Sequence, residues 1–414
     1  MAGTWVEGVS LAPPSGSGAG DGAGHEDLVT GRVCPIIQYG NRMSGLSASP
    51  PPRRTGRLLS SRARLYRTIR TAHLEQVREL APATIIYRAT RYDFDPSAAV
   101  GLDLRRAGPI RAAVMLARST VTEIEVNEPL MRYGVRGAAL AVAALRLRAG
   151  FGGRRASIVS YGIENFDPFS VPRPGIRSWL SGALDLGLTR FVWRSLDRMV
   201  FGTTASRDLY HRVLGPLRDP AAEVVIPTLP ASCDCADTGR SGDRAIFVGA
   251  FSVRKGFDLL ESAWPHVLER RPASRLHLLG KGPLEAAARA WADRDSTVDL
   301  EVDPSRARIH ERLRGSQVLV LPSQPQPTWR EQVGRPITEG LSHGCSIVTT
   351  SETGLASWLA GHGHSVVAAG GEAAELAAAI VRQLERHRPS GDVTKDLPAR
   401  DGRFTADDRL FAVD

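Results

Sequence analysis

The sequence predicts an α/β protein built from two doubly wound domains. Three observations carry that prediction. The chain has 414 residues, more than one ordinary core fills. Short apolar runs alternate with helical periods in two separate series. A polar, turn-rich break at residues 231–243 separates the two series.

Residues 1–30, rich in Gly, Ser and Pro, read as a flexible N-terminal tail. An N-terminal domain is expected over 31–230. Its Ser47 to Arg54 stretch, with three successive prolines, reads as a loop. Leu65, Ile69, Leu74 and Val77 give residues 59–80 a helical period. Strand patterns follow at 84–87, 121–126, 156–161, 198–201 and 223–227, and Ser206 is placed to cap the helix after the fourth. Residues 231–243 form the linker. The second domain is expected over 244–390, with strands at 245–248, 276–279, 298–302, 318–321 and 347–349. Its helices are expected at 256–270, 284–294 and 372–387, and residues 391–414 form a C-terminal tail. Such alternation implies parallel sheets with helices on both faces.

A hydrophobic content of 42% and a charged content of 23% are those of a soluble globular protein. No apolar run approaches the ~18 residues of a membrane-spanning helix. Residues 1–24 lack a basic start followed by an apolar stretch, so they are not read as a secretory signal, and a cytoplasmic location is expected. Cys233-Asp234-Cys235 is the one close cysteine pair; with no histidine near it in sequence, it reads as reduced loop thiols rather than zinc ligands.

The net charge is +9, and only Lys255, Lys281 and Lys395 among the 53 basic residues are Lys. A GC-rich genome imposes such an Arg bias, which makes each surviving Lys informative. The basic balance suits anionic substrates or an anionic membrane surface; zinc-finger spacing and aromatic-basic RNA motifs are missing, so no nucleic-acid partner is expected. Residues 175–194, rich in Arg, Trp and Leu with Asp185 as the sole acid, fit either an interfacial helix or a packed helix with snorkelling arginines.

The chemistry concentrates in the second series. Glu331 and Glu339 lie eight positions apart, with Gly334 and Pro336 between them, after one strand pattern and before the next. The first acid then falls in a strand-to-helix loop and the second in the first turns of the helix, at the crevice edge of an open sheet. Ionised carboxylates accept hydrogen bonds from hydroxyls, and the helix N-terminus beside them suits phosphate. A hydroxyl-rich phosphate ester is a nucleotide sugar. Upstream, the turn from Gly249 to Gly256 carries Arg254 and Lys255 at a helix start, a second anion site. Gly280-Lys281-Gly282-Pro283 follows the next strand, with glycines that let backbone approach a ligand.

With these motifs in order, the chain resembles the retaining GT-B glycosyltransferases of the group 1 family, closely from Ala245 to about His387 and loosely from Thr84 to Pro227. The resemblance implies two Rossmann-like domains facing a central cleft, an acceptor domain first and a donor domain second. It places Lys255 on the donor diphosphate, with Gly249, Gly280 and Gly282 in the donor loops and the Gly334 backbone near the diphosphate. Glu331 would contact the sugar hydroxyls and Glu339 the ribose. Ala250 stands where the family usually has Arg, leaving Arg254 to supply that cation. His343-Gly344-Cys345 matches the family's small turn, and Gly354 would line the sugar pocket. On the acceptor side Asn127 occupies the region where relatives carry His, and Glu164 is placed to act as base or to orient the acceptor. Glu331, Lys255, Asn127 and Glu164 are thus the expected catalytic groups. The implied donor is of UDP or GDP type, and the implied acceptor is a hydroxyl, lipid-linked or on a saccharide, in polysaccharide, glycolipid or glycoconjugate synthesis. Neither cofactor nor metal is expected, and the membrane contact would be peripheral, at the inner face. The last residues, Arg403 to Phe411, would pack back on the first domain. The competing expectation is a catalytically inactive GT-B-like binding or scaffold protein, which Ala250 and the missing His favour and the Glu pair with Lys255 opposes.

Overall fold

The computed structural model describes residues 60–91, 94–171, 175–235 and 243–412. The expected tail at 1–30, the Ser47 to Arg54 loop and linker residues 236–242 lie outside the described residues. The first sheet and its helices comprise β1 (Arg62–Ile69), α1 (Thr71–Glu79), β2 (Thr84–Thr90), β3 (Leu104–Arg106), α2 (Pro109–Ala117), β4 (Glu123–Val126), α3 (Arg132–Gly150), β5 (Ser157–Gly162), α4 (Ile176–Ser195), β6 (Arg198–Phe201), α5 (Thr204–Leu214) and β7 (Glu223–Val225). The second comprises β8 (Arg244–Val248), α6 (Phe257–Arg270), β9 (Arg275–Gly280), α7 (Glu285–Arg294), β10 (Val298–Val302), α8 (Arg306–Arg314), β11 (Val318–Leu321), α9 (Arg335–Ser342), β12 (Ser346–Thr350), α10 (Ala356–Gly361), β13 (Ser365–Val367) and α11 (Ala373–Glu385). Helices α12 (Ser390–Thr394) and α13 (Gly402–Leu410) end the chain.

Both sheets are parallel throughout and share one topology: β3-β2-β1-β4-β5-β6-β7 and β10-β9-β8-β11-β12-β13. Each therefore has a switch point where the strand order reverses, β1/β4 in the first and β8/β11 in the second. A ligand crevice opens at the carboxyl ends of the strands there.

Side-chain alternation sorts the first sheet's two faces. Ala63, Leu65, Ile86, Ile158, Met199 and Phe201 point into one core under α2, α3 and α4. Ile85 and Tyr87 point the other way toward α1, and Val159 and Val200 toward α13. Arg64 shares that second face and is fully buried. Its guanidinium donates to Asp407 of α13 at 2.7 and 2.9 Å and to Glu125 of β4. Arg403 closes the cluster onto Glu125 at 2.6 Å. The chain end is thus tied to the middle of the first sheet by two cations and two carboxylates.

This cluster explains the largest departure from the sequence expectation. Residues 59–80 do not form one helix: Arg62–Ile69 is β1, the central strand, and α1 begins at Thr71. Leu65 and Ile69 are four apart, which suits a period of two as well as 3.6. Arg64, just before Leu65, reads as a solvent-facing residue unless its partners, Glu125 and Asp407, are known. Ser206 is also not the cap of α5. Thr203 holds that position, and its hydroxyl accepts the Ser206 N–H at 3.1 Å. Strands β3 and β13, three residues each, carried no readable pattern.

Candidate active site

The β8/β11 switch point assembles groups from two loops. After β8, Gly249 opens a turn that runs through a short 3-10 segment, Val253–Lys255, into α6. Gly249 and Gly280 cross so closely that a Cβ on Gly280 would lie 1.8 Å from the Gly249 carbonyl oxygen, and one on Gly282 would lie 2.6 Å from that of Phe251. The β8 and β9 loops therefore stack backbone on backbone, presenting main chain to the crevice. After β11, the loop from Pro322 leads to Glu331 and then to Gly334, whose φ of +82° turns the chain into α9 with Pro336 in its first turn.

The two loops meet through charge. The Lys255 ammonium donates to Glu331 Oε2, which also accepts from the Ser323 hydroxyl at 2.9 Å. Both charged side chains are almost fully covered, at 11% and 10% exposure. Arg254 is not aimed beside Lys255 as a second free cation: its guanidinium lies over the Trp329 ring at 4.1 Å, with the Lys255 ammonium 5.6 Å from the same ring. Trp329 thereby gathers both cations, a role its sequence position gave no sign of. Glu339, on the inner face of α9, is buried; its Oε1 accepts from Arg335 Nε at 3.1 Å and from Arg306 of α8. Each glutamate of the pair is thus held by basic side chains.

The first domain reaches this site chiefly through the loop after β5. Asn165 donates from Nδ2 to the Glu331 carbonyl at 2.9 Å and to that of Glu352 at 3.3 Å. Glu164 accepts from the Asn165 and Phe166 amides through Oε1, and through Oε2 from Gln332 of the second domain at 2.9 Å. Burial raises its pKa. The structure therefore places Glu164 beside the Glu331 loop, in a turn-capping and domain-bridging arrangement. Gly354 sits at the same seam, where an added Cβ would meet the Gln332 carbonyl at 2.3 Å and Thr203 Oγ1 at 2.9 Å. Asn127 is elsewhere: it follows β4, accepts the Arg67 amide at 2.8 Å, and lines a cavity within the first domain.

Sequence reading passed over Glu128. Its Oε2 accepts from the Ile163 and Glu164 amides at 2.9 and 3.1 Å and from Tyr210 at 3.3 Å. Burial, reinforced by the Glu164 carboxylate, pushes Glu128 up to about 8. A protonated acid thus sits beneath the loop that bridges the domains. The fold also supplies Cys233 with the histidines its sequence neighbourhood lacks. Ligand atoms of Cys233, His310 and His343 all lie within 4.8 Å of one another. The imidazoles are already bonded to each other at 2.8 Å, and His343 Nδ1 to the Glu339 carbonyl at 2.7 Å.

Two Rossmann-like sheets of this order, closed on each other through such a seam, define the GT-B fold, and solved structures agree. The structure is similar to that of Anabaena HepE in complex with UDP, with 12% identity, a TM-score of 0.57, and 84% of this chain and 95% of that chain covered. It is similar to the lipopolysaccharide outer core galactosyltransferase WaaB, with 10% identity, a TM-score of 0.60, and coverage of 85% and 99%. It is also similar to WaaG, a glycosyltransferase involved in lipopolysaccharide biosynthesis, with 13% identity, a TM-score of 0.53, and coverage of 85% and 100%. Within the chain, residues 242–386 match the family of glycosyl transferases, group 1. No curated protein matches by sequence.

Proposed function

We propose that the chain is a retaining glycosyltransferase that moves a hexose-type sugar from a UDP- or GDP-linked donor to an acceptor hydroxyl. The observation that carries this reading is the meeting of Lys255 and Glu331 at the β8/β11 switch point, with Glu339 on the helix that follows. Lys255 takes the donor diphosphate, helped by the main chain of the stacked Gly249, Gly280 and Gly282 loops and by Gly334 at the start of α9. Glu331, released from Lys255, accepts from sugar hydroxyls. Glu339 accepts from the ribose. The chemistry breaks the bond between the anomeric carbon and the diphosphate oxygen and forms one to the acceptor oxygen on the same face. The acceptor's proton passes to the departing phosphate. Fixed positive charge stabilises the diphosphate as it leaves, which makes a metal unnecessary. Glu164 orients the acceptor and couples its binding to domain closure through Gln332.

These similar structures support a donor of this kind: HepE is seen with UDP-glucose, and WaaB is a galactosyltransferase. We place the reaction in polysaccharide, glycolipid or glycoconjugate synthesis, at the inner face of a membrane. Support for that location comes from α4, which buries Asp185, Thr189, Val192 and Trp193 while exposing Ile176, Trp179, Leu180 and Leu184. Among the described residues no helix is long and apolar enough to cross a membrane. The test is a screen of UDP- and GDP-sugars for nucleotide diphosphate release, with Lys255→Ala and Glu339→Ala as controls. Turnover by both variants at the wild-type rate would refute the site assignment. UDP binding without turnover of any donor would favour a binding protein.

A further inference from the structure

The second sheet's switch point holds the proposed donor groups; the first sheet's switch point, β1/β4, opens into a cavity of about 460 Å³. It lies by the carboxyl ends of these strands, lined by Arg67 near the end of β1 and by Asn127 just after β4, under the N-terminal turns of α3. Four guanidiniums line it, those of Arg67, Arg88, Arg132 and Arg136, against a single carboxylate, Asp185. Asp185 is buried and grips Arg132 and Arg136 through their Nε atoms, both at 2.8 Å. It thereby fixes two cations side by side with their outer nitrogens left for other partners; one of these, on Arg136, reaches Ser181 at 2.8 Å. Among the described residues, neither Arg67 nor Arg88 has a carboxylate within ion-pair distance. Arg67 is nonetheless held in place: it donates to the Tyr133 carbonyl and stacks 5.4 Å from that residue's ring. Four arginines, three of them held in place, an excess of three positive charges and a helix N-terminus together match a phosphate better than a neutral sugar. The opposite wall is apolar, built by Leu65, Ala107 and Pro109, and the rim helix α2 exposes Ile110 and Val114.

We propose that this cavity binds the phosphate or diphosphate ester of the acceptor substrate, so that the acceptor is an anionic glycoside or lipid rather than a neutral sugar. The proposal rests on the two-substrate reading above and assigns the acceptor half. Arg67 and Arg88 are its recognition residues; Asp185 is a positioning residue acting through Arg132 and Arg136.

The test is calorimetric binding in excess UDP, which keeps the donor loops occupied. The probes are decyl phosphate, glucose 1-phosphate and the uncharged decyl glucoside. Wild type is expected to bind a phosphate probe and not decyl glucoside. Arg88→Ala, at an exposed position, and Arg67→Ala/Arg88→Ala should weaken that binding about tenfold or more, as loss of charged hydrogen bonds does. Binding of decyl phosphate alone would assign the phosphate to a lipid; equal binding of glucose 1-phosphate would assign it to a soluble sugar. The proposal is overturned if neither phosphate binds, if decyl glucoside binds as well as decyl phosphate, or if the arginine variants bind like wild type. Failure of UDP to bind would instead remove the donor reading, while the cavity variants, which leave the donor loops untouched, would still report on the phosphate.

Discussion

Replacing Glu331 with Gln separates the two jobs assigned to the Lys255–Glu331 contact. In the free protein the carboxylate neutralises Lys255 and accepts from Ser323. The amide keeps the shape and one acceptor oxygen but gives up the charge. For a nucleotide diphosphate without sugar, the variant loses no contact and frees a cation that wild type holds in an internal pair. For a full donor, it loses a charged acceptor for the sugar hydroxyls. A hydrogen bond to a charged group contributes about 1.5–3 kcal/mol, and each ~1.4 kcal/mol is tenfold. Sugar transfer should therefore fall about 10- to 150-fold in Glu331→Gln, while UDP binds as tightly as to wild type or tighter. Lys255→Ala should instead weaken UDP by a similar 10- to 150-fold, because it removes the charged donor to the diphosphate. The double variant should bind UDP like Lys255→Ala alone, since Glu331 acts on UDP only through the ammonium. Calorimetric titration with UDP, beside nucleotide release from a UDP-sugar, measures both quantities, and a thermal scan of each sample controls for folding. If Glu331→Gln weakens UDP as much as Lys255→Ala does, the carboxylate serves the diphosphate or the loop itself and the division of labour is wrong.

Further outcomes follow from buried groups. Asp407→Ala removes one of the two carboxylates that hold the fully buried Arg64, leaves Arg64 and Arg403 to share Glu125, and should cost about 3–5 kcal/mol, read as a lower urea midpoint, because one buried charge is left uncompensated. Gly280→Ala drives a methyl group into the Gly249 carbonyl at 1.8 Å, so the β8 and β9 loops must part and UDP affinity should fall at least ~10-fold by calorimetry. Glu128, pushed up to about 8 from 4.5, is protonated in the folded state and ionised in the unfolded state at neutral pH. Its contribution is complete below pH 4.5 and is lost as pH rises toward 8, at roughly 1.4 kcal/mol per pH unit at most. Glu128→Gln should flatten the fall in unfolding free energy across that window; an unchanged pH profile would show that Glu128 is already ionised.

The proposed donor half was legible in the sequence because its residues are local. A loop that offers main chain to a diphosphate needs glycine where backbones cross, and Gly249, Gly280 and Gly282 mark those places within a few residues of their strands. Lysine added to this: with three in the whole chain, the one at 255 stands out. The first domain had no such marker. Its strand β1 was hidden by Arg64, whose partners Glu125 and Asp407 lie 61 and 343 residues away. Its cavity gathers Arg67, Arg88, Arg132 and Arg136 from β1, β2 and α3, in a chain where arginine is so common that no single one carries information. The histidines beside Cys233 were missed for the same reason, since His310 comes from the middle of α8 and His343 from the end of α9. What identifies an arginine here is its company: Asp185 between two of them and, among the described residues, no carboxylate beside the other two. Such an arrangement exists only once β1 and β4 are neighbours, so the proposed acceptor cavity becomes readable at the level of topology and not of motif.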